Sequence, residues 1–354
     1  MEKIIHTGII GFGLSGRVFH APFIQVVDGF ELTAVSTNNV QSRKLIRQRY
    51  PQTMIAANAD EIISQPNIDL VIVASPSRFH YEQAKAALLA GKHVVVEKPF
   101  TPTSSEADEL IRIAKEKNVI LTVYHNRRFD SDFKTVKKLI QSNLLGEIVE
   151  FEFHTDRYAP DPKTTRIWKD QLLPASGSLY DLGSHQLDQA LQLFGLPESV
   201  TADIGTQRRW CQNDDYYNIL LKYPRLNVIL KSSMLAKIKR PTFHVIGTKG
   251  TFTKYGVDIQ EEQSGKEITP DNVDWGKESE VIWGNIDTEW NGIKIKGKIE
   301  SETGDYKDFF INLRDAVNGK AEIAVKSSEA RNVIRMIELA YQSNNEKRTV
   351  QVRS

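Results

Sequence analysis

The sequence contains a single cysteine, Cys211, so no internal disulfide can form, as suits a reducing compartment. No cluster of positive charge flanks Cys211, and a reactive thiolate is not expected there. No apolar run approaches the ~20 residues that a bilayer crossing requires. The opening Met1-Glu2-Lys3-Ile4-Ile5 passes into a strand pattern without a signal-peptide core. These absences lead to the expectation of a cytoplasmic protein with no membrane partner. An excess of either charge is missing as well. The 46 Lys and Arg residues are balanced by 45 Asp and Glu, which gives no electrostatic ground for nucleic-acid binding. Neither a cysteine pair nor a His-Glu-x-x-His pattern occurs, and no metal site is expected.

What is present fits a soluble globular chain: 354 residues, 40% hydrophobic and 26% charged, enough for two domains. Over residues 1–123, short apolar runs (7–10, 31–36, 54–56, 70–74, 93–96, 119–123) alternate with helical patterns (16–27, 40–50, 59–64, 81–90, 104–117). That alternation predicts an α/β domain with a doubly wound parallel sheet. Thr103 and Glu106 have capping-box spacing, and Gly91 stands where a helix should stop. From residue 124 to 354 the pattern changes. Runs at 147–155, 200–209, 216–223, 227–234, 243–246 and 250–255 follow one another without intervening helices. They predict an α+β domain with an open, mostly antiparallel sheet, closed by helices at 305–318 and 328–343. Residues 261–304 carry no assignable pattern.

Gly11-Phe12-Gly13-Leu14-Ser15-Gly16 follows the first strand and opens a helix. In that context the first glycine serves the tight turn, the second admits a pyrophosphate to the backbone, and the third lets helix and strand pack. A dinucleotide cofactor is expected. An acid after the second strand would hold the ribose 2′-hydroxyl of NAD. The chain instead has Ser36-Thr37-Asn38-Asn39, with Arg43 one turn into the next helix. NADP is therefore favoured over NAD, with Ser36, Thr37 and Arg43 around the 2′-phosphate; a plain polar loop with a solvated Arg43 is the competing reading. Ser75 and Pro76 leave the fourth strand into a loop over the cofactor, where His80 either contacts the ribose or caps the following helix.

Val94-Val95-Val96-Glu97-Lys98-Pro99 runs an apolar strand into a charged pair stopped by proline. A lysine there costs desolvation unless it is used or reaches solvent. Glu97 either pairs with Lys98 or binds a ribose hydroxyl. Further on, Asp181 and His185 are four apart and share a helix face, an arrangement able to bind and deprotonate a hydroxyl. Against this, Ser178-x-x-Asp181 also fits a capping box, and His185 also fits a core histidine. Residues 124–129 (Tyr-His-Asn-Arg-Arg-Phe) join the two domains and suit either a polyhydroxylated substrate or an interdomain salt-bridge hinge. Tyr124 is expected at the substrate and Asn126 at the cofactor. Tyr158, Arg166 and Trp168 lie in a loop before the Asp-His helix, with Tyr158 expected at the substrate and Trp168 over the cofactor.

Together the glycine turn, Glu97-Lys98-Pro99, residues 126–129 and Gly177-x-x-x-Asp181-x-x-x-His185 resemble the glucose-fructose oxidoreductase / inositol dehydrogenase / rhizopine-catabolism (Gfo/Idh/MocA) family. The likeness spans nearly the whole chain, and the segments around Tyr124 and Tyr180 are similar to its NADP-dependent scyllo-inositol dehydrogenase branch. Asn38 stands where that branch often has arginine. The resemblance implies a Rossmann domain followed by an open-sheet α/β domain, assembled as a homodimer or homotetramer. It also implies that Lys98, Asp181 and His185 are catalytic. On that reading His185 takes a hydroxyl proton, Lys98 hydrogen-bonds the same oxygen, and Asp181 holds a neighbouring hydroxyl or orients Lys98. The substrate would be a cyclic polyol or sugar; a trans-dihydrodiol or deoxysugar ketone, or a non-catalytic dinucleotide sensor, are the alternatives.

Overall fold

A computed structural model describes residues 3–162 and 170–353. Among them the α-helices are α1 (Ala21–Val26), α2 (Val40–Arg49), α3 (Ala59–Ile63), α4 (His80–Leu89), α5 (Ser104–Lys117), α6 (Ser131–Gln141), α7 (Ser184–Phe194), α8 (Gln260–Gly265), α9 (Lys307–Val317) and α10 (Ser327–Glu346). None of the described helices is long and apolar enough to cross a membrane. The chain forms two compact units, and neither is one continuous segment. The first takes residues 1–126, 260–275 and 305–332; the second takes 127–259, 276–304 and 333–354.

The first unit holds a six-stranded, wholly parallel sheet of β1 (Ile5–Ile10), β2 (Phe30–Ser36), β3 (Met54–Ala56), β4 (Leu70–Val73), β5 (His93–Val96) and β6 (Leu121–Val123). Its order, β3-β2-β1-β4-β5-β6, is that of a Rossmann domain. Register aligns the last residues of the strands in one row across the sheet: Ala56, Ser36, Ile10, Val73, Val96 and Val123. Every loop that leaves this edge therefore starts at the same level. Leu70–Val73 and Val94–Val96 are fully buried, as strands covered on both faces must be. Thr103 and Glu106 form the expected capping box on α5, and Gly91 follows α4 at φ 75°.

The later segments join this unit through aromatic packing. Phe23 stacks on Phe310 at 5.4 Å and meets Trp275 edge-on at 5.9 Å. Gln260, fully buried, accepts at Oε1 from the Trp275 indole at 2.9 Å and from the Tyr306 backbone at 2.7 Å. One amide oxygen thus ties the two segments together.

The second unit is built on a nine-stranded sheet of β7 (Ile148–His154), β8 (Ser199–Gly205), β9 (Tyr216–Lys222), β10 (Asn227–Ser233), β11 (Phe243–Gly247), β12 (Gly250–Lys254), β13 (Gly284–Trp290), β14 (Ile293–Ile299) and β15 (Val350–Gln351). The order is β14-β13-β12-β11-β7-β10-β9-β8-β15, antiparallel except where β10 lies parallel to β7. Alternate residues of β9 and β10 (Tyr217, Ile219, Leu221, Val228, Leu230) are buried, and those between them are half-exposed. Residues 261–304, unassigned from sequence, supply most of α8 and the β13–β14 hairpin.

Beneath α6 the polar groups are buried. The Ser131 N–H donates to Asp258 at 2.8 Å and its hydroxyl to Glu278 at 2.5 Å; Lys254 donates to Glu278 at 2.5 Å, with both side chains fully buried. Beside them Asp132 is pushed up to about 7 by burial and then by the charge of Asp258. A carboxyl raised in the folded state holds its proton more tightly than in the unfolded chain. Its stabilising share is complete below the unfolded value and is lost as pH rises through about 7. Asp132→Asn removes the titration but keeps the oxygen that accepts from the Phe133 N–H at 2.7 Å. The urea midpoint of the parent is expected to fall more than that of the variant between about pH 5 and pH 8. Parallel pH profiles would show that Asp132 does not titrate in that window.

Candidate active site

The glycine turn sits where the strand order reverses, between the ends of β1 and β4. Gly11 has φ 96°, and a Cβ there would lie 2.8 Å from the Ala74 carbonyl. A Cβ on Gly16 would collide with the Gly11 carbonyl. Around Gly13, by contrast, no described atom lies within 4 Å of that position. The three glycines thus divide into one for the turn, one for close packing and one facing open space, which is the cradle a pyrophosphate requires. Phe12, Leu14 and Ser15 complete the turn, with Phe12 buried against Tyr50 at 6.4 Å. The helix that follows opens with one wide π turn, Gly16–His20, before α1.

Ser36 closes β2 and holds the turn: its carbonyl and hydroxyl accept from the Gly11 N–H at 3.1 and 3.3 Å. Asn39 caps α2, accepting from the Ser42 N–H at 2.9 Å, and Ser42 donates to the Phe12 carbonyl at 3.3 Å. Arg43 folds back to donate to the Thr37 carbonyl at 3.2 Å. Its guanidinium is therefore held against the loop that follows β2.

Past β4, Ser75 donates to Gln83 at 2.6 Å and Pro76 precedes the short turn Ser77–Phe79. His80 is buried as the first residue of α4. Its two ring nitrogens lie 2.8 Å from the Pro99 carbonyl and 2.9 Å from the Ser75 carbonyl. Burial holds its pKa below the ordinary histidine value. His80 thus ties the loop after β4 to the one after β5.

Glu97 and Lys98 follow β5 directly, ahead of a cis Lys98–Pro99 bond. Glu97 is buried, and its carboxylate accepts from the Ser15 hydroxyl, from His20 at 2.8 Å and from the Lys98 N–H at 3.0 Å. Burial raises its pKa, but the His20 bond and charge, with Ser15, hold it below the usual carboxylate range. His20 was not singled out from sequence; 77 residues separate it from Glu97. Lys98 is half-buried two residues beyond the strand. Tyr124 follows β6, but its ring is packed into the aromatic core, 4.5 Å from His20 and 4.9 Å from Phe309. Asn126, buried, opens the turn Asn126–Phe129.

In the second unit Asp181 and His185 occupy one helical stretch, a wide turn Leu179–Gly183 leading into α7. His185 is buried and Asp181 half-buried. Ser178 has helical dihedrals and makes no capping bond, so the capping-box alternative fails. The carboxylate that serves the helix start belongs to Asp214, which accepts from the Leu179 N–H at 2.7 Å and from the Tyr341 hydroxyl at 2.6 Å. Asp181 is thereby released from that duty. Gln186 donates to the Phe153 carbonyl at 2.8 Å and accepts from Tyr217 at 2.6 Å. Arg128 grips Asp188 with two bonds of 2.8 and 2.6 Å, and Gln189 donates to the Arg127 carbonyl at 2.8 Å. Arg128 thus braces the helix that presents His185. Tyr158 is half-exposed, with Lys237 at 4.9 Å over its ring. Arg166 and Trp168 lie outside the described residues. No metal-holding group of His, Cys, Asp and Glu occurs among the described residues.

Residues 5–125 match the family described as "Oxidoreductase family, NAD-binding Rossmann fold", and residues 137–352 match "Oxidoreductase family, C-terminal alpha/beta domain". The chain belongs to the Gfo/Idh/MocA oxidoreductase family. It is 38% identical over 346 residues to scyllo-inositol 2-dehydrogenase (NADP(+)) IolW of Bacillus subtilis, covering 98% of this chain and 95% of that protein. Among solved structures it matches the oxidoreductase yvaA from Bacillus subtilis at a TM-score of 0.94 and 37% identity, over 100% of this chain and 99% of that one. An oxidoreductase from Bacteroides fragilis matches at 0.90 and 42%, over 99% and 100%. The family membership and the open cradle at Gly13 agree on an NAD(P)-binding oxidoreductase.

The glycines make separable predictions. Gly13→Ala is expected to keep the parent melting temperature and lose dinucleotide binding, because its Cβ fills only the cradle. Gly16→Ala is expected to lower the melting temperature itself. Calorimetry with a fluorescence titration of NADPH checks both; a Gly13→Ala protein that binds NADPH like the parent would remove the turn from the cofactor site.

Proposed function

We propose that the protein is a dehydrogenase of a cyclic polyol or sugar, scyllo-inositol-like, that prefers NADP. What carries the reading is the presence on one chain of an intact dinucleotide turn, a lysine just past β5, and Asp181 and His185 in one helical stretch. The similarity to scyllo-inositol 2-dehydrogenase supports the substrate class.

When bound, the nicotinamide accepts or supplies the hydride. The turn residues 11–16, with Ser75, Pro76 and Asn126, would hold the dinucleotide, and Ser36, Thr37 and Arg43 its 2′-phosphate end. Trp168 would be a further cofactor contact. His185 takes the hydroxyl proton, since an imidazole changes charge near neutral pH. Lys98 hydrogen-bonds the same oxygen and stabilises its developing negative charge. Asp181 accepts from a neighbouring hydroxyl, and Tyr158 borders the substrate. Tyr124 is assigned to the aromatic core. Glu97 is assigned to holding the turn and the Lys98 backbone. A homodimer or homotetramer in the cytoplasm completes the proposal.

A panel of inositols, sugars and dihydrodiols, followed by nicotinamide absorbance with each cofactor, tests the class; no turnover of any polyol would sink it. Lys98→Met keeps volume and removes charge, and should lower turnover at least ~10²-fold. Near-parent turnover would rule the lysine out. Arg43→Ala should shift the NADP-over-NAD preference by about tenfold toward NAD, the scale of a charge-assisted contact. An unchanged preference would remove Arg43 from the 2′-phosphate.

A further inference from the structure

His20 is the most deeply buried ionisable residue near the glycine turn, with 0% of its surface exposed. Its ring lies 4.5 Å from that of Tyr124 and 6.1 Å from that of Phe310. Nδ1 has no hydrogen-bond partner among the described residues. A leucine or phenylalanine would fill such a place without an idle, desolvated nitrogen, so a histidine there is costly unless its other nitrogen has a task. That task is visible. Nε2 is 2.8 Å from Glu97 Oε1, and since a carboxylate only accepts, Nε2 is the donor.

The carboxylate so fixed has two further partners on different loops. The Ser15 hydroxyl, inside the glycine turn, donates to the same oxygen as His20, and the Lys98 N–H donates to the other oxygen at 3.0 Å. One carboxylate therefore spans the loop after β1 and the loop after β5. Without His20, either carboxylate oxygen could rotate toward Ser15 or Lys98, and the spacing between the two loops would lose its clamp.

We propose that His20 is a positioning residue of the redox site: it locks the Glu97 carboxylate in the one orientation that receives both Ser15 and the Lys98 backbone. It thereby sets the distance between the dinucleotide turn and the lysine. The proposal rests on Lys98 acting in the reaction proposed above, and its binding arm stands apart from that reaction.

Two variants test it. His20→Leu fills the space and donates nothing; His20→Gln carries an amide N–H that reaches toward the Nε2 position. In the leucine variant kcat with scyllo-inositol should fall about tenfold or more while KM for the polyol stays within about threefold, the loss expected from one hydrogen bond to a charged group. NADPH binding, read by fluorescence titration, should weaken about fivefold on the same ground. The glutamine variant should recover most of both at an unchanged melting temperature. A folded leucine variant with kcat and NADPH affinity within about twofold of the parent overturns the proposal. So does a glutamine variant that loses as much as leucine does, because the donor would then not matter. Should the leucine variant fail to fold, Glu97→Gln replaces it, with the same split expected and parent-like values again overturning the idea. A parent that binds NADPH but turns over no polyol sinks the function proposed above, and the NADPH arm then decides the role of His20.

Discussion

The first unit depends on how closely the backbone after β1 can approach the backbone after β4. In a 3-2-1-4-5-6 sheet the chain leaves these adjacent strands in opposite directions, and a crevice opens at their ends. Here the approach is set by atoms rather than by topology alone. Gly11 lies where a Cβ would come 2.8 Å from the Ala74 carbonyl, and its N–H is taken by Ser36. Because the strand ends are in register, fixing this pair also fixes the level of β5. Lys98 inherits its height from a turn more than 80 residues earlier in the chain.

In the second unit the equivalent role falls to buried polar side chains. Gln186, Asp188 and Gln189, successive or nearly so on α7, reach in turn to the β7 and β10 backbone, to Arg128 and to the Arg127 carbonyl. Such groups add little net stability, since desolvation consumes most of what the bonds return. Their effect is on specificity: each satisfied partner removes an alternative rotation of the helix. An apolar α7 would pack on the same sheet, but nothing would fix the direction in which His185 points.

What sequence reveals follows from range. The glycine turn, the strands of the first unit and the Thr103–Glu106 capping box are local, and each was legible because its pattern lies within a few residues. Asp214 as the cap for the helix at Leu179 was not, since the bond spans 35 positions. The pairing of His20 with Glu97 was hidden for the same reason. The β13–β14 hairpin is a different case, because its pattern is local. Ile293-Lys294-Ile295-Lys296 alternates apolar and polar residues, a local strand signal, and in the fold these side chains are all exposed. Lysines on such an edge discourage pairing with another chain, which is a property of the surface rather than of the core.

Both units carry the same local device next to the residues proposed for the chemistry. A π turn is rare and recurs at functional sites because one extra residue re-aims the side chains that follow. Gly16–His20 and Leu179–Gly183 are two such turns, the first containing His20 and the second containing Asp181 and ending two residues before His185. Each contains a glycine, but the two are not equally constrained: a Cβ on Gly16 would strike the Gly11 carbonyl, whereas one on Gly183 would meet, at 2.5 Å, a terminal methyl of the Leu179 side chain. The third glycine of the dinucleotide turn is therefore the more strictly required of the two, since a methyl group can shift to admit a Cβ and the Gly11 carbonyl, held in the turn, cannot.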